Sequence, residues 1–118
     1  MLEKLIIKIQ EKKSVIAVIG LGRVGLPLSS VLANSGFNVI GIDVNEEKLE
    51  SIKNAICPFY DPYLQENLEK SIKTNRFSVD KSILNKKADI IILTVGTPAS
   101  MEGSVDYSQL YAAINEVC

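Results

Sequence analysis

The chain has 118 residues, a net charge of −1, and 47% hydrophobic and 23% charged residues, which are the proportions of one ordinary globular domain. The sequence has no basic run of the kind that binds nucleic acid, and no apolar stretch approaches the roughly 20 residues of a membrane span. We therefore expect neither a nucleic-acid partner nor a membrane, and the lack of a signal sequence predicts a cytoplasmic location.

Two residue types narrow the chemistry. The two cysteines, Cys57 and Cys118, are too few for a disulfide framework and match no metal-binding spacing, so we expect two free thiols and no metal site. The chain has no histidine, so the commonest general acid–base residue is missing.

The first segment, residues 1–13, is predicted to form a short amphipathic helix, because apolar side chains recur there at helical spacing. These side chains are Leu2, Leu5, Ile6 and Ile9. Such a stripe either packs against the edge of the domain or contacts a partner.

Residues 14–43 have the pattern of a phosphate-binding unit, which is strand, glycine turn, helix, strand and acid. The uncharged run Val15–Ile19 predicts a strand buried on both faces, and Phe37–Ile42 predicts a second strand. Between them we expect a helix from Val24 to about Ser35, ended by Gly36. Its apolar stripe is predicted to consist of Val24, Leu28, Val31 and Leu32.

The glycine turn has the spacing G-x-G-x-x-G at Gly20, Gly22 and Gly25. Gly20 allows a tight turn off the strand, Gly22 lets a pyrophosphate approach the backbone, and Gly25 lets the helix pack closely. The N–H groups at the start of this helix are expected to face the phosphates. We therefore assign the whole turn to cofactor binding, which comprises Gly20, Leu21, Gly22, Arg23, Val24 and Gly25.

Asp43 ends the second strand and predicts which dinucleotide is bound. A carboxylate at this position accepts both ribose hydroxyls of an adenosine and repels a 2′-phosphate. No Arg or Lys stands among residues 44–47 to receive that phosphate, and Val44, next to the acid, joins the expected binding residues. The sequence therefore predicts NAD rather than NADP as the cofactor.

The rest of the chain continues the alternation of strands and helices. We expect a helix over Glu46–Asn54 capped by Asn45, a loop over Ala55–Tyr63, a helix over Tyr63–Lys73, a strand over Phe77–Val79, a helical turn from Asp80 through Lys87, a buried strand over Ala88–Val95 and a helix over Tyr107–Cys118. This order predicts a Rossmann-like α/β fold, with a parallel sheet and helices on both faces. Three or four strands make about one mononucleotide-binding half. The expected organisation is therefore a helix over residues 1–13 and a partial NAD-binding domain over residues 14–118, with the substrate domain absent.

Four separated motifs occur in the order found in one family of enzymes. They are VIGLGRVGLPLSSVLANSGFNVIGIDVNEEKLESIKNA, DPYL, ADIIILTVGTPAS and VDYSQL. Together they resemble the amino-terminal, NAD-binding end of the UDP-glucose/GDP-mannose dehydrogenase family, and its UDP-N-acetylmannosamine branch most of all. The resemblance implies two-step oxidation of a UDP-sugar alcohol to the uronic acid, with two NAD+, for polysaccharide biosynthesis. The UDP-sugar is expected to bind only with the domains that are absent here.

The resemblance also assigns individual residues. Lys48 falls where these enzymes often carry a basic residue near the adenosine ribose. Thr97 matches a threonine on the nicotinamide side that helps to hold a catalytic water, and it completes the expected cofactor-binding set with Val95 and Gly96. The alternative for Thr97 is a turn residue before Pro98.

Three departures from the family pattern are visible. Arg23 stands where the family more usually has tyrosine, and residues 61–64 read DPYL where EPGL is usual. The family's nucleophilic cysteine, its lysine and its asparagine lie past the equivalent of Cys118. Because Cys118 belongs to a different element, we do not expect it to be that nucleophile, and we expect no turnover by this chain alone.

Three functions remain open from the sequence. The first is the NAD-binding part of a nucleotide-sugar dehydrogenase. The second is a non-catalytic nucleotide-binding or interaction module that associates with itself or a partner through an uncovered sheet edge or the N-terminal helix. The third is the NAD-binding part of a 3-hydroxyacid-type dehydrogenase, against which Asp43 argues.

Overall fold

A computed structural model describes residues 2–84, 86–95 and 108–117 of the chain. In chain order the elements are α1 (Leu2–Gln10), β1 (Val15–Ile19), α2 (Gly25–Asn34), β2 (Asn38–Ile42), α3 (Glu46–Lys53), α4 (Pro62–Lys73), β3 (Phe77–Asp80), β4 (Ile90–Leu93) and α5 (Ser108–Val117). No helix in the described ranges is long and apolar enough to cross a membrane.

The strands form a four-stranded parallel sheet in the order β3-β2-β1-β4. Ile19 at the end of β1 pairs with Ile42 of β2 and with Leu93 of β4, so three strands end at one edge. The Rossmann-like parallel architecture predicted from the sequence is confirmed. Since the order reverses between β2 and β4 around β1, the loops after these strands border the crevice where open α/β sheets bind ligands.

Helices cover both faces of the sheet, as predicted. On one face a core joins strand residues to side chains of α2, α3 and α4; it includes Val18, Val39, Phe77, Leu26, Leu49, Ile52, Leu64 and Leu68. On the other face Ala17, Ile19 and Ile42 pack with Ile83 and with Ala113 of α5.

The predicted apolar stripe of α2 is only partly correct: Leu28 and Leu32 are half-buried, and Leu32 packs against the core, but the two valines of the stripe do not. Val24 and Val31 are 68% and 55% exposed, while the residues that the helix buries are Gly25, Leu26, Ser29, Ser30 and Ala33. Gly25, Ser29 and Ala33 recur every four residues, so they share one helix face. Because Gly25 must approach the glycine turn, that face turns inward, and the small side chains let the helix lie close to its neighbours.

The last predicted strand is shorter and less buried than expected. The sequence predicts a buried strand over Ala88–Val95, whereas β4 spans Ile90–Leu93, and Ile91 and Leu93 are each 38% exposed. Within the described sheet β4 is an edge strand that pairs only with β1. Its side chains are therefore less covered than those expected of a central strand.

Asp80 caps a turn rather than the predicted helical turn through Lys87. Its carboxylate accepts hydrogen bonds from the N–H groups of Lys81, at 2.7 Å, and Ser82, at 3.3 Å. A second turn follows, because the Lys86 N–H donates to the carbonyl oxygen of Ile83 at 3.0 Å, and none of the described residues between β3 and β4 is helical.

Candidate dinucleotide-binding site

The glycine turn is held against two strands at its first residue. Gly20 donates its N–H to the carbonyl oxygen of Ile42, at 2.7 Å, and its backbone has a φ of +99°. A Cβ at this position would lie 2.8 Å from the carbonyl oxygen of Thr94. The positive φ and the missing space both require glycine here.

Gly25 and Gly22 have opposite surroundings. A Cβ on Gly25 would overlap the carbonyl oxygen of Gly20 and the hydroxyl of Thr94, so the start of α2 sits directly on the turn. A Cβ on Gly22 would meet nothing within 4 Å. Glycine is therefore needed at Gly25 for packing, whereas Gly22 borders open space that a ligand can enter.

The amides at the start of α2 are free to bind an anion. Among the described residues, no acceptor receives the N–H groups of Gly22, Arg23, Val24 or Gly25, and no side chain caps the helix. Such unsatisfied donors, with the positive end of the helix dipole, suit a phosphate group. The backbone here fits the pyrophosphate of a dinucleotide.

Asp43 connects the ends of β1 and β2. One carboxylate oxygen accepts the Leu21 N–H at 2.9 Å and the Lys48 ammonium at 3.2 Å, and the other accepts the Asn45 N–H at 2.9 Å. The acid is therefore hydrogen-bonded to the glycine turn itself. Val44, beside it, is 78% exposed and borders the same region.

The environment keeps Asp43 ionised. Burial is the largest single influence and raises the pKa of this carboxyl, but hydrogen bonds from Asn45, Leu21 and Lys48, with the charge of Lys48, together lower the pKa below its ordinary value. A lowered folded-state pKa means that the ionised acid stabilises the fold above its unfolded pKa of about 3.9, and that this contribution is lost as the pH falls through the folded pKa. Near neutral pH the site therefore presents a carboxylate.

Lys48 reaches the site from the first turns of α3. Asn45 caps this helix as predicted, since its side-chain oxygen accepts the Lys48 N–H at 3.0 Å. The Lys48 side chain is 25% exposed and its partner Asp43 only 11%, so the pair is partly shielded from water. The structure thus brings together three of the predicted regions, which are the glycine turn, Asp43 and Lys48.

The remaining predicted residues lie partly within and partly outside the described ranges of the chain. Arg23 is exposed and lies over the ring of Phe59. Val95 is half-buried and packs against the Ala17 side of the sheet. Gly96 and Thr97 lie outside the described residues.

Thr94 is a site residue that the sequence reasoning missed. Its hydroxyl donates to the carbonyl oxygens of Gly20, at 2.6 Å, and Ile19, at 3.2 Å, and its own N–H donates to Ile19 at 2.8 Å. The sequence indicates this contact only through the strand register. Because Ile19 pairs with Leu93, the residues that follow them, Gly20 and Thr94, must lie side by side. These hydrogen bonds hold the start of the glycine turn against the residue that follows β4.

Alanine at the two inner glycines should separate folding from binding. Gly25→Ala forces a methyl group into Gly20 and Thr94, so we expect it to lower the free energy of unfolding by about 1–3 kcal/mol or more. Gly22→Ala adds a methyl group in open space and should leave the urea midpoint nearly unchanged while weakening NAD binding at least about tenfold. A Gly22→Ala chain that binds NAD like wild type would contradict the assignment of this space to the cofactor.

Thr94→Val should loosen the turn without changing the size of the side chain. It removes the hydroxyl donor to Gly20, and we expect a loss of about 1–2 kcal/mol in the free energy of unfolding together with weaker NAD binding. Thr94→Ser, which keeps the hydroxyl, is the matched control and should retain most of the affinity. A larger loss in Thr94→Ser than in Thr94→Val would show that the methyl packing of Thr94, not its hydrogen bond, positions the turn.

Comparison with known proteins points to the same enzyme family as the sequence motifs. Residues 14–118 match the NAD binding domain of the UDP-glucose/GDP-mannose dehydrogenase family. The chain is 36% identical over 104 residues to the UDP-glucose 6-dehydrogenase TuaD of Bacillus subtilis, covering 86% of this chain and 23% of that protein. It is 38% identical over 112 residues to the UDP-N-acetyl-D-mannosamine dehydrogenase of Methanococcus vannielii, covering 92% and 26%.

Solved structures agree in fold. A UDP-glucose dehydrogenase from the archaeon Pyrobaculum islandicum superimposes with a TM-score of 0.83 at 31% identity, covering 88% of this chain and 24% of that one. A ternary complex of GDP-mannose dehydrogenase from Pseudomonas aeruginosa gives 0.83 at 29% identity, covering 86% and 24%. The chain thus spans about a quarter of the length of these relatives. From residue 14 onward, this chain belongs to the UDP-glucose/GDP-mannose dehydrogenase family and corresponds to its NAD-binding domain.

Proposed function

We propose that the glycine turn and Asp43 of this chain bind the adenosine and pyrophosphate half of NAD, as part of a nucleotide-sugar dehydrogenase. The observation that carries the proposal is the hydrogen bond from the Leu21 N–H to the Asp43 carboxylate. Through it, the group expected to accept the ribose hydroxyls is fixed to the turn whose amides are free for the phosphates. Family membership favours this function over the 3-hydroxyacid alternative.

The proposed substrate is a UDP-sugar of the UDP-N-acetylmannosamine or UDP-glucose type, oxidised to the uronic acid for polysaccharide biosynthesis. Bound NAD supplies the hydride acceptor for such an oxidation. Support comes from the relatives named as UDP-glucose 6-dehydrogenase and UDP-N-acetyl-D-mannosamine dehydrogenase. With NAD as the proposed cofactor, we also propose a cytoplasmic location, which suits the free thiol of Cys57. Recovery of the chain from the periplasmic or extracellular fraction would contradict it.

In this proposal, different residues of the chain bind different parts of the cofactor. Gly22, Arg23, Val24 and Gly25 offer their amides to the pyrophosphate, and Asp43 accepts from the adenosine ribose with Lys48 beside it. Val95 follows β4 at the ligand-binding edge of the sheet, and Gly96 and Thr97 come next in the sequence. We assign the three residues to the nicotinamide side, as the family resemblance implies. Thr97 is the residue proposed to act on a catalytic water there.

Calorimetric titration with NAD and NADP tests the proposal. Wild type should bind NAD at least about tenfold more tightly than NADP, because Asp43 repels a 2′-phosphate. Asp43→Ala should weaken NAD about tenfold or more by removing charged hydrogen bonds, and it should narrow the preference between the two cofactors. Since the pKa of Asp43 is lowered, wild-type affinity should not change between about pH 5 and 8 on account of this group.

Asp80→Ala is the matched control for this experiment. Asp80 also ends a strand, but its carboxylate pairs with Lys86 at 3.1 Å and, among the described residues, forms no hydrogen bond or ion pair with the glycine turn. It should bind both cofactors like wild type. Equal wild-type affinity for NAD and NADP would overturn the ribose argument, and no saturable binding of either would overturn the proposed function.

We also propose that the chain associates through α1 and the β4 edge. Within the described residues α1 buries no side chain, and Leu2, Ile6 and Ile7 are 69%, 45% and 53% exposed. Its link to the domain includes an ion pair of Lys8 with Asp89 at 3.2 Å. Such an uncovered apolar stripe fits a protein contact, whether with another copy or with a different chain.

Sedimentation equilibrium tests this association. Wild type should self-associate at about 100 µM, and Ile6→Lys on α1 or Leu93→Lys on β4 should shift the distribution towards monomer by placing a charge in the contact. Lys4→Gln, on the same helix, serves as the control and should sediment like wild type. A wild-type chain that stays monomeric across this range would refute self-association.

A further inference from the structure

The Arg23 side chain rests on an aromatic ring from another part of the chain. Its guanidinium carbon lies 4.8 Å from the centroid of the Phe59 ring, within the range of a cation–π contact. Arg23 belongs to the glycine turn, whereas Phe59 belongs to the loop between α3 and α4. The contact therefore joins the proposed pyrophosphate site to a loop that the glycine motif does not include.

The loop that presents Phe59 is fixed by a side-chain clamp from α4. Gln65 accepts the Cys57 N–H at 2.7 Å and donates to the carbonyl oxygen of Ala55 at 2.7 Å. Phe59 itself is half-buried and packs against the core between the sheet and helices α2, α3 and α4. The ring is thus a firm support, and the guanidinium that rests on it has a restricted position.

Within the described residues, the Arg23 guanidinium makes no ion pair and donates no hydrogen bond. The other arginine, Arg76, donates to the carbonyl oxygen of Gly36 at 2.7 Å. A cation–π contact occupies the face of a guanidinium and leaves the N–H groups in its plane free. Arg23 therefore holds a full set of charged donors that no described residue accepts, and the neighbouring amides also lack an acceptor among the described residues.

We propose that Arg23, supported by Phe59, binds the diphosphate of the dinucleotide, so that the loop at residues 57–62 forms a second wall of the cofactor site. The planar fork of a guanidinium matches two phosphate oxygens, and its charge offsets the anion. Phe59 acts only through Arg23 and is a positioning residue. This inference rests on the proposed binding of NAD.

Titration with three ligands of increasing size tests the role of Arg23. Adenosine, ADP-ribose and NAD are titrated into wild type, Arg23→Gln and Arg76→Gln, with the weak adenosine binding followed by NMR. Arg23→Gln should weaken ADP-ribose and NAD about tenfold or more, because charged hydrogen bonds are lost, while adenosine stays within about twofold. Arg76→Gln, which removes the same charge elsewhere, should match wild type for all three ligands.

The role of Phe59 is tested by coupling. Phe59→Leu should weaken ADP-ribose about two- to fivefold, the usual range for an exposed cation–π contact, and it should have no further effect when Arg23→Gln is already present. Tyr60→Leu controls for loss of an aromatic group from the same loop, since Tyr60 is 91% exposed.

The outcomes separate this inference from the proposed function. Wild type that binds NAD while Arg23→Gln binds ADP-ribose equally well would overturn the inference alone. Additive losses from Phe59→Leu and Arg23→Gln would overturn the positioning role of Phe59. Wild type that binds none of the three ligands would overturn the proposed function, and the inference with it.

Discussion

Helix α2 begins so close to strand β1 that Gly25 has no room for a side chain, and much of the site follows from this contact. The missing Cβ lets the helix start directly on the carbonyl oxygen of Gly20. The same approach turns the small residues Ser29 and Ala33 inward. No side chain caps the first turn of this helix, so its amides suit an anion.

The second constraint is electrostatic. Asp43 is drawn to the glycine turn by the Leu21 N–H and held from α3 by Asn45 and Lys48, so the carboxylate has a fixed position before any ligand arrives. Lys48 partly offsets its charge, whereas Arg23 carries a charge that no described protein group offsets. In the proposed complex, the ribose hydroxyls meet the negative side of this arrangement and the diphosphate meets the positive side.

The sequence predicts most of the fold, because its strongest signals are local. The uncharged runs gave β1 and β2 to within a residue, and the glycine spacing located the start of α2. The inward face of α2 was missed, because hydrophobicity favours Val24 and Val31 whereas the close contact at Gly25 decides the orientation. The exposure of β4 was missed because a run such as ADIIILTV does not show whether a strand is central or at an edge.

The site divides in the same way. Gly20, Gly22, Gly25 and Asp43 have fixed spacing along the chain and are visible as a motif. Thr94 and Phe59 reach the glycine turn only through strand register and a loop fold, about 70 and 35 residues away along the chain, and no local pattern marks them. Such contacts become visible only in three dimensions.

An NMR titration of the ¹⁵N-labelled chain with NAD tests most directly whether the glycine turn and Asp43 hold the dinucleotide. We expect saturable shifts that are largest at the amides of Gly22 to Gly25 and at Val44, with the far end of α4 unaffected. Saturable binding that leaves these amides unchanged and shifts others instead would show that the dinucleotide binds elsewhere.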